Sequence, residues 1–325
     1  MKMKKMLYLL VFAFVAVLVA LLLISFIGQA TPTISNNLLI SFYTNQLSMF
    51  DPNSNKIVGK IQLDLPYIVR KLLRYNNEIY IVAVHQVILI DPNGSIKKTV
   101  NTNDTLVDGV IENGKLYTLG VIQMPGVPCN LPNSTEAFKS YITTFDLSLS
   151  QLSRVEFDQH RFDGFTTLNN SFFVSSFLDS KIYKIYGDKI ISEIQLPQES
   201  FPSQILSFGN KIIVLGRKQV FAIPSDLSKF DILINESICD SYSKAFIYNN
   251  KLYATCFTGN KTIVYDLVQN KLIKQINTTL PFYVWGFKDK IYVTSAFAKK
   301  LYIINPDTNE LIATIDFNEP PRVIG

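Results

Sequence analysis

Seven side chains stand at matching points of a recurring pattern, each near the start of a short apolar segment: Tyr67, His160, Arg161, Phe201, Tyr242, Tyr283 and Arg322. The aromatic rings offer stacking faces. The two guanidinium groups offer paired donors that fit a carboxylate or a phosphate, and the imidazole titrates near neutrality. Brought together, they would bind a sugar, a peptide or an anionic group; Asp104 stands at the same point of its own unit. Chemistry beyond binding finds little material. His85 and His160 are the only histidines, and the sequence has no Cys–His arrangement, nucleophile elbow, glycine-rich phosphate loop or paired metal-ligand spacing. No catalytic residue, metal or cofactor is therefore assigned.

Two other sets of reactive side chains have structural explanations. Asp51, Asp91, Asp146 and Asp266 recur at the same place in their units, where a strand ends in a turn. A carboxylate there caps the backbone N–H groups that follow it, and catalytic acids would not repeat unit after unit. Cys129, Cys239 and Cys256 can form one disulfide in an oxidising compartment. Cys239 precedes a strand and Cys256 lies on the next, while Cys129, on an insert, is also in reach of Cys239; both pairings stay open.

The elements that must position these residues form a repeat. A turn followed by a short apolar strand recurs as NLLISFY, NEIYIVAV, GKLYTLGV, NSFFVSSF, NKIIVLGR, NKLYATCF and DKIYVTSA, starting at Asn37, Asn77, Gly114, Asn170, Asn210, Asn250 and Asp289. The spacings are 40, 37, 56, 40, 40 and 39 residues. Each unit reads as four strands rich in Val, Ile, Tyr, Phe and Thr, separated by Asn, Gly, Asp and Lys turns. Four strands in roughly 40 residues is the size of a propeller blade. The fold class is all-β: a seven-bladed β-propeller over 37–325, preceded by one N-terminal transmembrane helix. The long interval holds an insert at 121–140, between the second and third strands of the third blade and on the face of the blade-to-blade links. The closing segment EPPRVIG aligns with LPFYVWG, so Pro320–Gly325 is expected to supply the innermost strand of the first blade.

The last unit, KIYVTSAFAKKLYIINPDTNELIATIDF, resembles the YVTN-type β-propeller repeat through Tyr292-Val293-Thr294, Ile304-Asn305 and Ala313-Thr314-Ile315. The preceding unit matches through Tyr253-Ala254-Thr255 and Tyr265-Asp266, and the others keep the pattern without the letters. The resemblance implies a seven-bladed propeller of a microbial, notably archaeal, surface or secreted type, and no single activity.

The address is written at the N-terminus. Residues 6–28 carry no charge and are long enough to cross a hydrocarbon core of about 30 Å. Lys2, Lys4 and Lys5, in the flank 1–5, place that side in the cytoplasm. Cleavage after the small residues near Gly28 and Ala30 is the competing fate. Residues 29–36 form a tether, and the propeller is then extracellular. Seven glycosylation sequons, at Asn93, Asn103, Asn133, Asn169, Asn235, Asn260 and Asn277, fit that side. With 25 Asn, 25 Ser and 20 Thr, random spacing gives about 3.5. Beyond the first five residues, 28 basic side chains face 26 acidic ones, too even a balance for a nucleic-acid surface. The expected function is a membrane-anchored binding module, with the bilayer as one partner and an extracellular protein or glycan as the other. The alternatives are a propeller enzyme, lactonase-like or quinoprotein-like, and a structural component of the cell envelope.

Overall fold

In six of the seven repeats the opening residue ends a hairpin turn. Six two-residue turns join inner to second strands, and in five of them both residues have positive φ, as at Asn76 and Asn77 (48° and 64°) and at Asn249 and Asn250 (46° and 62°). That conformation matches the twist of paired strands and favours Asn and Gly. The sixth, Gly209-Asn210, has positive φ at the glycine. Asn37 keeps the sequence position but makes no hairpin, because the inner strand of its blade comes from elsewhere in the chain.

The computed structural model describes residues 34–42, 46–63, 68–124 and 137–325. Among them, 27 strands form seven antiparallel sheets, six of four strands and one of three. The inner strands of blades 2 to 7 are Val69–Tyr75, Thr105–Glu112, Gly164–Leu168, Gln204–Phe208, Tyr242–Tyr248 and Tyr283–Phe287. Each packs against the next around a common channel. The protein is an all-β, seven-bladed propeller.

Second strands are continuous buried runs. Ile79–Ala83 is one, because neighbouring blades cover both faces of each sheet and remove the alternation of a half-exposed strand. Outer strands such as Lys189–Gln195 alternate and face solvent. The core thus lies between blades: one cluster joins Tyr253 and Val264 of blade 6 to Val284, Val293 and Ile304 of blade 7.

Closure comes from the chain's last residues. The Leu39 N–H donates to the Gly325 carbonyl (2.9 Å) and the Gly325 N–H to that of Leu39 (3.0 Å). The Ser41 N–H donates to Val323 (2.8 Å) and the Arg322 N–H to Ser41 (2.9 Å). Blade 1 is thereby completed, with Val323 and Ile324 buried. Gly325 suits its place, since a Cβ there would come within 2.5 Å of Leu72.

Two expected boundaries shift. Ile34 is fully buried in the core and donates its N–H to the Pro92 carbonyl (3.1 Å), so the body begins at Ile34 and not at 37. The insert assigned to 121–140 begins and ends inside strands: Val121 pairs with Ser140 and Gln123 with Phe138, because this hairpin has longer arms than the others. Its centre, 125–136, lies outside the described residues, as do Tyr67, Cys129, Asn133 and the apolar run 6–28. Among the described residues no helix is long and apolar enough to cross a membrane.

Candidate functional site

Inner strands carry their charged residues into the channel where their hydrogen-bond registers slip. Between Val69 and Lys71 the ladder skips Arg70, and between Leu106 and Asp108 it skips Val107. Between Tyr242 and Ala245, Ser243 and Lys244 together face Thr255. Such bulges re-aim a side chain while the strand continues. At Lys244 the Thr255 hydroxyl replaces the missing ladder bonds: its oxygen accepts from the Lys244 N–H (2.9 Å) and it donates to the Lys244 carbonyl (2.9 Å).

Arg70, Val107 and Lys244 line one cavity of about 360 Å³, together with Arg161, Asp163, Phe177, Ser203, Phe282, Tyr283 and Arg322. Every blade contributes, with Arg322 from the closing segment of blade 1. Arg161 Nε donates to Asp163 Oδ1 (3.1 Å), whose Oδ2 accepts from the Phe177 N–H (2.9 Å). Just beside the lining, Lys71 Nζ donates to Asp108 Oδ1 (2.6 Å), which also accepts from the Gly109 N–H (2.8 Å). Neither Arg70 nor the Lys244 ammonium forms an ion pair among the described residues.

Burial and like charge act on these groups. Burial pulls the Lys244 ammonium below the ordinary lysine value; Lys71 and Arg70 add to the effect and Asp108 opposes it. Burial and the nearby Arg322 lower Arg70. Burial raises the Asp163 carboxyl, against the pull of Arg161, and raises the Tyr283 phenol.

The residues expected to form one ring divide into two groups. Arg161, Tyr283 and Arg322 meet at the channel. His160 and Phe201 line a separate cleft of about 860 Å³ on blade 4 and its link to blade 5. The stacked rings of Phe177 and Phe201, 4.8 Å apart, stand between the two spaces. His160 packs edge-on against Tyr183 (5.3 Å), and its Nδ1 lies 2.6 Å from the Asp158 carbonyl. Although larger, the cleft is lined by groups that satisfy one another: the Gln195 amide Nε2 lies within hydrogen-bonding distance of the carbonyls of Asp179, Ser180 and Leu196, which share its two protons, and Lys181 pairs with Glu193. The channel holds charge that is not neutralised in this way and is the stronger candidate. Tyr242 is buried beside the disulfide and not on the rim, and Tyr283 is likewise largely covered. Asp104 is buried and paired with Arg154 (3.2 Å).

The disulfide is Cys239–Cys256, with Cα atoms 5.7 Å apart; it ties the entry of the inner strand that carries Lys244 to the strand beside it. The recurring acids cap turns as expected: Asp51 accepts from Asn53 and Ser54, Asp91 from Asn93 and Ser95, Asp146 from Ser148 and Ser150, and Asp266 from Val268 and Gln269. Arg70, Lys244 and Asp163 were not singled out in the sequence. The signal that locates them is a count back of six or seven residues from each hairpin turn, which reaches Arg70, Val107, Asp163, Ser203, Lys244 and Tyr283 in turn.

No family model and no curated protein matches the sequence. Solved structures do match. A functionally unknown protein from Desulfotomaculum acetoxidans is 10% identical, with TM-score 0.65 over 90% of this chain and 98% of that one. Apo AztD from Citrobacter koseri is 12% identical, with TM-score 0.61 over 89% and 96% of the two chains. A catalytically inactive virginiamycin B lyase from Staphylococcus aureus with quinupristin is 14% identical, with TM-score 0.61 over 79% and 85%. At these identities the likeness extends to the architecture alone, that of a seven-bladed β-propeller.

Proposed function

We propose that this chain is a binding module of the cell surface: a YVTN-type propeller, anchored in the bilayer through residues 6–28, whose channel mouth receives a group borne by an extracellular protein or glycan. The observation that carries the reading is the convergence of Arg70, Arg161, Lys244 and Arg322, from four blades, on one cavity. Arg161 is balanced by Asp163, but Arg70 and Lys244 have no ion pair among the described residues; like charges gathered in this way in a partly buried space oppose folding, so stability gives no reason to bring those two together, whereas a ligand does.

The address has its own support. Three lysines precede the apolar run, the disulfide suits an oxidising compartment, and the six sequon asparagines among the described residues are all exposed, as glycosylation requires. The repeat type is supported by its threonine. Thr294 Oγ1 donates to the Arg322 carbonyl (2.7 Å), so the strand that carries the Tyr-Val-Thr letters bonds the closing segment of blade 1.

Ser203→Trp tests the site without regard to ligand chemistry, because it fills the cavity while leaving every charge in place. Crosslinking and pull-down from intact membranes are expected to recover the partner with the wild-type chain and to lose most of it with this variant. Equal recovery, with an unchanged melting temperature, overturns the channel as the binding site.

A further inference from the structure

We infer that the face of the ring built from its hairpin turns rests on a lipid surface, which it touches through a belt of aliphatic side chains and lysines, so that the channel mouth is turned away from the bilayer; the inference rests on residues 6–28 being the anchor. The start of the body identifies the face. Ile34 donates its N–H to the carbonyl of Pro92 (3.1 Å), in the turn between the third and outer strands of blade 2. Its own carbonyl accepts from Arg74 (3.0 Å), next to the hairpin at Asn76 and Asn77, and Lys288, in the inner hairpin of blade 7, donates to the Asn36 carbonyl (2.9 Å). The body thus begins among the turns that join inner to second strands and third to outer strands. The antiparallel order of each sheet puts all of these turns on the side opposite the blade-to-blade links. Only residues 29–33 separate Ile34 from the apolar run, and a link this short reaches about 20 Å at most.

That face carries the side chains that an interface with lipid requires. In all seven blades an aliphatic residue within the first three positions of the outer strand is exposed, from Ile57 in blade 1 through Leu152 in blade 3 and Ile191 in blade 4 to Ile312 in blade 7. Each outer strand starts at a hairpin turn, so these side chains stand around the edge of the hairpin face. Val268 adds to them from a turn of blade 6, where polar residues are usual, and is 64% exposed. Tyr186, 61% exposed beside the turn at Gly187, supplies the amphipathic ring that suits the headgroup level. Lys56, Lys189 and Lys271 are exposed within two residues of the aliphatic positions of their blades; their stems can lie along lipid while the ammonium groups stay among the headgroups. The capping aspartates of the same turns give the face both signs of charge, as a zwitterionic headgroup layer has. One exposed aliphatic residue is ordinary in water. Its recurrence at one level in every blade, on the face from which the chain leaves for the membrane, is the pattern of a surface that meets lipid.

The test places the full chain in phosphatidylcholine nanodiscs whose acyl chains are either plain or brominated near the headgroup end. It reads the quenching of added tryptophans against the wild-type chain, whose single tryptophan, Trp285, sets the background. Leu152→Trp and Tyr186→Trp should each lose about half of their added emission to the brominated lipid, while Phe297→Trp, on the mouth side, stays at the background. In a chain that also carries Ile191→Asp and Ile312→Asp, quenching at Tyr186→Trp should fall by half or more with the melting temperature unchanged, because both positions are exposed. Tryptophans of the belt that remain at the background overturn the inference; if such a chain also runs at twice its mass in detergent, the belt joins two copies instead. A glycan on Asn93 or Asn169, the sequons of this face, in protein taken from native membranes overturns it as well, since it would hold the face away from lipid. Alkaline carbonate extraction separates the face from the anchor. A chain that is released, yet quenched at both positions in the discs, loses the anchor and keeps a lipid-binding face; a retained chain with an unquenched belt loses the face alone.

Discussion

Arg74, on the inner strand of blade 2, is the residue on which both ends of the body converge. Its Nη1 donates to the Ile34 carbonyl (3.0 Å), and its Nη2 donates to the carbonyls of Asn37 and Gly325, the latter at 3.0 Å. The guanidinium also lies over the Phe287 ring at 4.7 Å. Burial pulls its pKa down to about 10, still well above neutrality, so it stays charged. Arg74→Met takes one donor from each of three buried carbonyls, of which Ile34 keeps the Asn37 N–H and Gly325 the Leu39 N–H, and should lower stability by about 1–3 kcal/mol, as read by chemical denaturation. Arg74→Lys should recover only part of the loss, since a point charge does not span three acceptors. Nothing in the local sequence announces this role, because the three carbonyls belong to segments remote in the chain. Arg161, Tyr283 and Arg322 were legible as channel residues because no slip separates them from their hairpin turn or chain end. Arg70 and Lys244 were not, because a bulge beside each re-aims its side chain, and Asp163, with no slip on its strand, was passed over for the neighbouring His160 and Arg161.

At the scale of the element, local rules account for most of what recurs. The asparagines of the inner hairpins, Asn210 excepted, adopt positive φ, where a β-carbon is strained and an Asn side chain is tolerated. Asn250→Ala should therefore lower stability by about 1 kcal/mol, while Asn250→Gly should leave the midpoint unchanged or slightly raised. Paired thermal melts check this, and an equal loss in both variants would mean that side-chain contacts, not the backbone, set the turn. A second regularity lies at the rim. The register between third and outer strands slips in every blade, in six of them near the end of the third strand, for example between Val264 and Tyr265 and between Ile303 and Ile304, and in blade 5 earlier, between Val220 and Phe221. Such bulges twist the exposed outer edge and hinder its pairing with another sheet. The capping acids that follow were readable in the sequence; the slips were not, since they depend on how two strands meet.

The whole molecule depends on one junction. Blade 1 takes three strands from the start of the body and its innermost segment from the end, so folding of the ring and capture of the C-terminal residues are one event. Removing 320–325 exposes the edge of Leu38–Ser41 and uncovers Val323 and Ile324 positions worth roughly 1.5–3 kcal/mol each, besides taking away the acceptor for Arg74 and the Arg322 of the channel. Calorimetry of the truncated chain should show a large fall in melting temperature and a broader transition. A melt within experimental error of the full chain would mean that the ring holds without its clasp.

The sequence by itself determined the blade count, the strand order within each blade, the hairpin turns and the expectation that the chain's end closes the ring. These follow from short-range patterns: apolar runs, turn residues and their spacing along the chain. Tertiary structure alone decided which of the candidate residues share a space, which cysteines pair, and that the cations of four blades face one another. Those outcomes depend on strand register and on the rotation of each sheet about the common axis. A slip of a single residue turns a side chain from one face of a strand toward another, and no periodicity in the sequence records it.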